Sequence, residues 1–390
     1  MQPTRESLDQ WASARRPYLD NLKVALIAAI ISFHAVLGYA SLLEVWTYTE
    51  FREVSLSAAT QIVLFLVLSP VGVLLMALLF LVAGLLTPPS HDRKGTLRFV
   101  VDRTVRLGVP FLAYVLVVQP LVKHALGSAV GQPSASFWGQ YPGEGGRLDT
   151  GPLWFVGVLL IFSLGYAGWR LWVHRRGRSQ PPDPARPVSL RTLVLAAILV
   201  APASFAVRLV YAYGSESGMS DLNFWEWPAC LAAFVLGVIG SRVGWASSVP
   251  PGIARPCRTA TLVAGVALGA LLVSAGTSES VDDLLGGWGW PSAAFAVVDA
   301  VLTVFGSVWF LSVAQRRLDR RYRWGPLLGR SAYAAFMLQS LFLLALAVAL
   351  RPVDLSAEVK ALLVAVGGVV GSFWAGWLLV SRMPGASRVL

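Results

Sequence analysis

Charge is scarce in this sequence. Asp, Glu, Lys and Arg make up 14% of the 390 residues, against 56% hydrophobic. A soluble chain of this size could not cover itself with so little polar surface, which argues against a water-soluble globular fold. Histidine is rarer still, with His34, His91, His124 and His174 the only copies. Cysteine is down to Cys230 and Cys257. These two lie far apart without ligand spacing, which argues against a zinc site or a disulfide framework, so no metal is expected and both read as structural thiols. No internal repeat is legible. The single low-complexity stretch, the basic, proline-rich Arg175 to Pro187, reads as a flexible cytoplasmic loop within 174–189. The remainder reads as one transmembrane domain over 1–390.

What the chain has in quantity is apolar sequence. Runs long enough to cross a ~30 Å hydrocarbon core at ~1.5 Å per residue fall near 22–41, 60–86, 107–126, 151–173, 190–211, 225–242, 259–275, 291–313, 331–350 and 358–380. They are near-continuous rather than alternating, and backbone polar groups in lipid must be satisfied internally, so helices are expected rather than barrel strands. The first run is long for a signal peptide and carries His34, so it reads as a retained helix. The fold class is an all-α polytopic membrane bundle of about ten transmembrane helices.

A net charge of +11 would suggest nucleic acid in a soluble chain. Here, however, 26 of the 32 Lys and Arg residues sit in one alternate set of inter-helix breaks and termini, while 14 of the 21 acidic residues sit in the other. That bias reads as topology, with both termini cytoplasmic. Membrane lipids, not nucleic acid, are the expected surroundings.

Several residues could carry chemistry. His34 lies about 18 Å into the first helix, and an ionisable group at that depth is a functional candidate. The bland reading is a neutral imidazole bonded to a neighbouring helix. Asp299 in the eighth helix lies at a matching depth of about 21 Å, where a carboxylate could orient the imidazole. Arg103 and Arg106, spaced i, i+3, suit a phosphate-bearing ligand at the cytoplasmic interface, or equally anionic head groups. Near the outer ends of their helices, Arg208 fits an anionic or hydroxyl-rich acceptor or simple snorkelling, and Glu226 fits an acceptor contact or a solvated end. Trp154 and Phe155 open the fourth helix, where an aromatic belt would also place them.

These residues, in their order along the chain, resemble the membrane-bound acyltransferase 3 family, over nearly the whole length. Lys23-x10-His34 is similar to the basic-x10-His pattern of its first helix, after an entry Tyr18-Leu19-Asp20-Asn21-Leu22. Leu78 to Gly84 resembles the segment closing its second helix, Arg103-x-x-Arg106 followed by Leu-Gly-Val-Pro its Arg-x-x-Arg signature, and Gly151-Pro152-Leu153-Trp154-Phe155 another common block. Phe224-Trp225-Glu226-Trp227-Pro228 and Ser241 to Trp245 resemble the glucan-modifying branch. One departure stands out: where many members carry a second histidine on the ninth helix, Ser331-Ala332-Tyr333 leads here to Gln339, which hydrogen-bonds but cannot act as a base.

The resemblance implies an O-acyltransferase in a bacterial-type plasma (inner) membrane. It would move an acetyl or succinyl group from cytoplasmic acyl-CoA, a substrate rather than a permanently bound cofactor, to a hydroxyl of an extracytoplasmic carbohydrate, glycan or lipid. Arg103, Arg106 and Lys23 would hold the acyl-CoA, and Trp154, Arg208, Glu226 and Gln339 the acceptor. His34 would serve as general base or, alternatively, as nucleophile through an acyl-imidazole. Two rivals are a transporter or flippase and a catalytically silent relative. The first also uses intramembrane His, Asp and Arg but favours inverted repeats, which are not legible here; the missing second histidine favours the other.

Overall fold

In the computed structural model the described residues are 16–41, 52–131, 149–176, 187–214, 222–277 and 281–382. Among them every regular element is helical. Ten helices among the described residues are long and apolar enough to cross a membrane: α1 Pro17–Tyr39, α2 Ala58–Lys94, α3 Thr96–Ala125, α4 Gly151–Arg175, α5 Leu190–Arg208, α6 Phe224–Arg242, α7 Pro251–Gly276, α8 Trp290–Arg317, α9 Gly325–Leu350 and α10 Ala357–Arg382. The expected count holds. Of the 174–189 loop, residues 177–186 lie outside the described residues.

Several helices run past their apolar stretches at the end of the bundle where α2 gives way to α3. α2 continues through Pro88 and Pro89 to Lys94, and α3 begins at Thr96, so most of the expected 87–107 loop is helical. Hydropathy marks only the lipid-embedded part of a helix, whereas backbone hydrogen bonding continues into the interface. The break falls at Gly95, whose φ of 72° favours glycine.

Lipid tails are as apolar as leucine, so close backbone approach must hold the helices together. The α2–α6 contact shows it: a Cβ on Gly84 would collide with the Phe234 carbonyl, and one on Gly237 with that of Leu81. Around this seam Phe80, Phe155, Phe162, Phe234 and Phe336 form a buried ring cluster, with Phe80 and Phe155 edge to face at 4.7 Å. α1 packs against both α9 and α10, which also pack against each other. Its start is pinned by Asn21, whose side-chain amide donates to the Leu318 and Arg320 carbonyls at 2.8 Å each.

Among the described residues three π turns interrupt the helices: Thr104–Gly108 and Tyr114–Val118 in α3, and Leu302–Gly306 in α8. Each widens the helix by one residue, and such turns gather at functional sites.

Candidate functional site

His34 is 2% exposed and hydrogen-bonded across the bundle: its Nδ1 lies 2.9 Å from Gln339 Oε1 on α9. An amide oxygen only accepts, so Nδ1 carries the proton and donates it, leaving the lone pair on Nε2. Gln339 is fully buried, and its own Nε2 finds no acceptor among the described residues. A buried amide donor left unmatched costs about 1–3 kcal/mol, so it is suited to a ligand oxygen or a water.

The imidazole borders a cavity of about 20 Å³, room for roughly one water, whose lining includes Tyr39, Arg52, Leu343 and Leu344 but neither Arg103 nor Arg106. Residues 52–57 are fastened over this end of the bundle. Arg52 donates to the Ala40 carbonyl, Leu56 N to the Tyr39 carbonyl at 3.0 Å, and Ser57 N to Glu358 Oε1 at 3.0 Å. Glu53 pairs with the buried Lys360 at 2.6 Å.

The residue after Gln339 belongs to a second chain of polar contacts. Ser340 Oγ meets Tyr114 Oη at 2.6 Å, and Tyr114 donates to Gln119 Oε1 at 2.6 Å. Gln119 in turn donates to Asp149 Oδ2 at 2.9 Å. Asp149 also accepts from Gly151 N at 2.7 Å and from Lys123 at 2.8 Å. Burial pushes the Asp149 carboxyl up, but the Lys123 charge and these donors outweigh it and hold the group below its ordinary value. Trp154, one turn into α4, is 3% exposed inside the aromatic core, so it is not a lipid-facing belt residue.

The expected partnership of Asp299 with His34 does not form. Asp299 accepts from Arg208 Nη2 at 2.5 Å, both side chains being buried. Arg208 is therefore not snorkelling; its guanidinium stacks over Phe295 and Tyr213 at 4.6 and 5.2 Å. Its Nε and Nη1 have no acceptors among the described residues. Glu226 is part-buried, accepts a weak bond from Cys230 Sγ at 3.9 Å, and lies within the electrostatic reach of Asp299 and Arg208. Depth along a helix places a residue in one dimension only; the direction it points chose Arg208 over His34.

At the α2–α3 end, Arg106 Nε is already paired with Asp102 at 3.1 Å, and Lys94 holds the same carboxylate at 2.6 Å. Arg103 sits over the Phe99 ring at 5.2 Å with Nε unpartnered among the described residues. The two guanidiniums are thus unequal: Arg106 is exposed and shares one carboxylate with Lys94, whereas Arg103 is half-buried with its Nε unpartnered. Lys23 is part-exposed, 4.0 Å from Asp20.

Arg52, Tyr114, Gln119, Ser340 and the Glu53–Lys360 pair escaped the sequence reading. A signal for some of them was present. Only six basic residues fall in the minority set of loops, and of these Lys123, Arg208 and Lys360 each bind a carboxylate while Arg52 borders the His34 cavity.

Fold and site together define a polytopic helical membrane protein with buried polar clusters between its helices. The acyltransferase 3 family, described as an acyltransferase domain, matches residues 16–381. The chain belongs to that family and is a multi-pass membrane acyltransferase. No curated protein and no solved structure matches it.

Proposed function

We propose that the protein is an acyl-CoA-dependent O-acyltransferase with His34 as general base, acting on a hydroxyl of an extracytoplasmic carbohydrate, glycan or lipid. The observation that carries this reading is the 2.9 Å contact from His34 Nδ1 to Gln339, which leaves Nε2 as the basic nitrogen. Nε2 takes the hydroxyl proton as that oxygen attacks the thioester carbonyl. The tetrahedral intermediate then collapses, breaking the C–S bond, and the protonated imidazole returns the proton to the departing thiolate. The Arg52 guanidinium, which lines the same small cavity as His34, and the unpartnered Nε2 of Gln339 are the donors assigned to the developing oxyanion in this reading.

A glutamine where relatives have histidine is compatible with this scheme, because orienting a base requires an acceptor rather than a second base. Basic loop bias supports cytoplasmic termini, and a plasma-membrane location of bacterial type rests on the family resemblance alone. Arg103 is the better of the two signature arginines for the donor's phosphates, with Arg106 and Lys23 beside the inner interface. The water-sized cavity implies that helices part to admit the thioester.

The test is mass spectrometry of surface glycans and lipids from cells carrying wild-type protein or His34→Ala at equal membrane levels. Wild type should add an acyl mass increment, and the variant should lose it. An undiminished increment in His34→Ala rules out the base. The buried Arg208–Asp299 pair also suits a transporter, in which case the acceptor would change sides without changing mass.

A further inference from the structure

At the same end of the bundle as Arg103, two pairs of arginines from different helices line one cavity. Arg255 and Arg258, at i, i+3 in the first turns of α7, join Arg316 and Arg317 from the last turn of α8 around about 390 Å³, with Trp309 in the wall. Some other cations at this end have partners: Arg106 has Asp102, and Arg170 has Asp92 at 3.1 Å. Arg176 and Arg323 lie over Trp172 and Trp324 at 4.0 and 5.4 Å. Among the described residues none of the four cavity arginines has a carboxylate, an aromatic face or a side-chain hydrogen bond.

Topology alone does not account for this arrangement. The inward bias of positive charge needs cations on one side of the membrane and is indifferent to where they point. All four arginines are solvent-exposed and border one concavity, so their like charges repel one another and raise a positive potential there. The amino end of α7 adds positive partial charge of its own. Guanidinium forks, weakly hydrated and bidentate, match phosphate oxygens better than ammonium groups do.

We infer that this cavity binds a phosphate-bearing anion of at least two negative charges, either a free molecule from the aqueous side or the head groups of anionic lipids. The inference is independent of His34 and of the reaction proposed above.

Purified full-length protein in phosphatidylcholine nanodiscs, titrated calorimetrically with inorganic pyrophosphate, reads the first source. Native mass spectrometry of phosphatidylglycerol retained from mixed-lipid nanodiscs reads the second. Wild type should bind one of the two probes. Arg255→Gln with Arg258→Gln, or Arg316→Gln with Arg317→Gln, should each weaken that binding about tenfold or more, equivalent to about 1.4 kcal/mol. Either pair suffices should the other impair insertion. Arg321→Gln with Arg323→Gln, on the adjoining segment, should leave it unchanged. Absence of binding by wild type to both probes overturns the site, as does equal loss in the Arg321 and Arg323 control, which would reduce it to diffuse surface charge.

Discussion

The imidazole of His34 on α1 and the side-chain amide of Gln339 on α9 are 2.9 Å apart, although 305 residues separate them in sequence. The contact fixes which ring nitrogen is basic, and it closes α1 against α9 at the level of the site.

Gln339→Leu keeps the approximate volume but strands Nδ1–H without an acceptor. An unmatched buried donor costs about 1–3 kcal/mol, so turnover should drop about 10- to 100-fold while extracted protein yield stays near wild type. The acyl increment on the acceptor, measured per mole of protein, is the readout. Full turnover in Gln339→Leu would remove the amide from the catalytic arrangement.

Arg208 and Asp299 are both buried, and removal of one partner leaves an uncompensated charge. Arg208→Leu or Asp299→Leu alone should each destabilise the protein by about 3–5 kcal/mol, and the double variant by much less than their sum. Reversible unfolding in detergent, run as a double-mutant cycle, gives the coupling. Strict additivity would mean that the pair is not a unit.

Asp149 has its folded pKa below the unfolded one, so its contribution to stability is complete above the unfolded value of about 3.9 and disappears as pH falls through the folded value. Thermal stability of wild type should therefore fall below about pH 4 with a component that Asp149→Asn lacks. Scans from pH 6 to pH 3 on both proteins test this. Parallel curves would assign the acid sensitivity to other carboxylates.

Much of the architecture was legible because lipid imposes long apolar runs, and all ten spans follow from them. The boundaries were less so. Lys94 and Thr96 are helical although their neighbourhood is charged, since hydropathy records solvent preference and not backbone geometry. His34 stood out by depth. Its partner did not, because Asp299 and Gln339 both lay within reach along the membrane normal and only orientation about the helix axis separates them. Arg52 carried no pattern of its own; the fastened 52–57 segment brings it to the cavity through contacts from α1 and α10 that no local spacing encodes.

The widened turns in α3 and α8 set the rotational phase of everything beyond them. One residue corresponds to about 100° of helix rotation. Regularising Leu302–Gly306 by a single deletion would swing either the Asp299 side or the Arg316–Arg317 side of α8 round the helix axis, so the buried ion pair and the basic cavity could not both keep their aim. Inserted residues in this protein act as gearing between the two ends of a span, and length variation at those three places is therefore far less tolerable than in its surface connections.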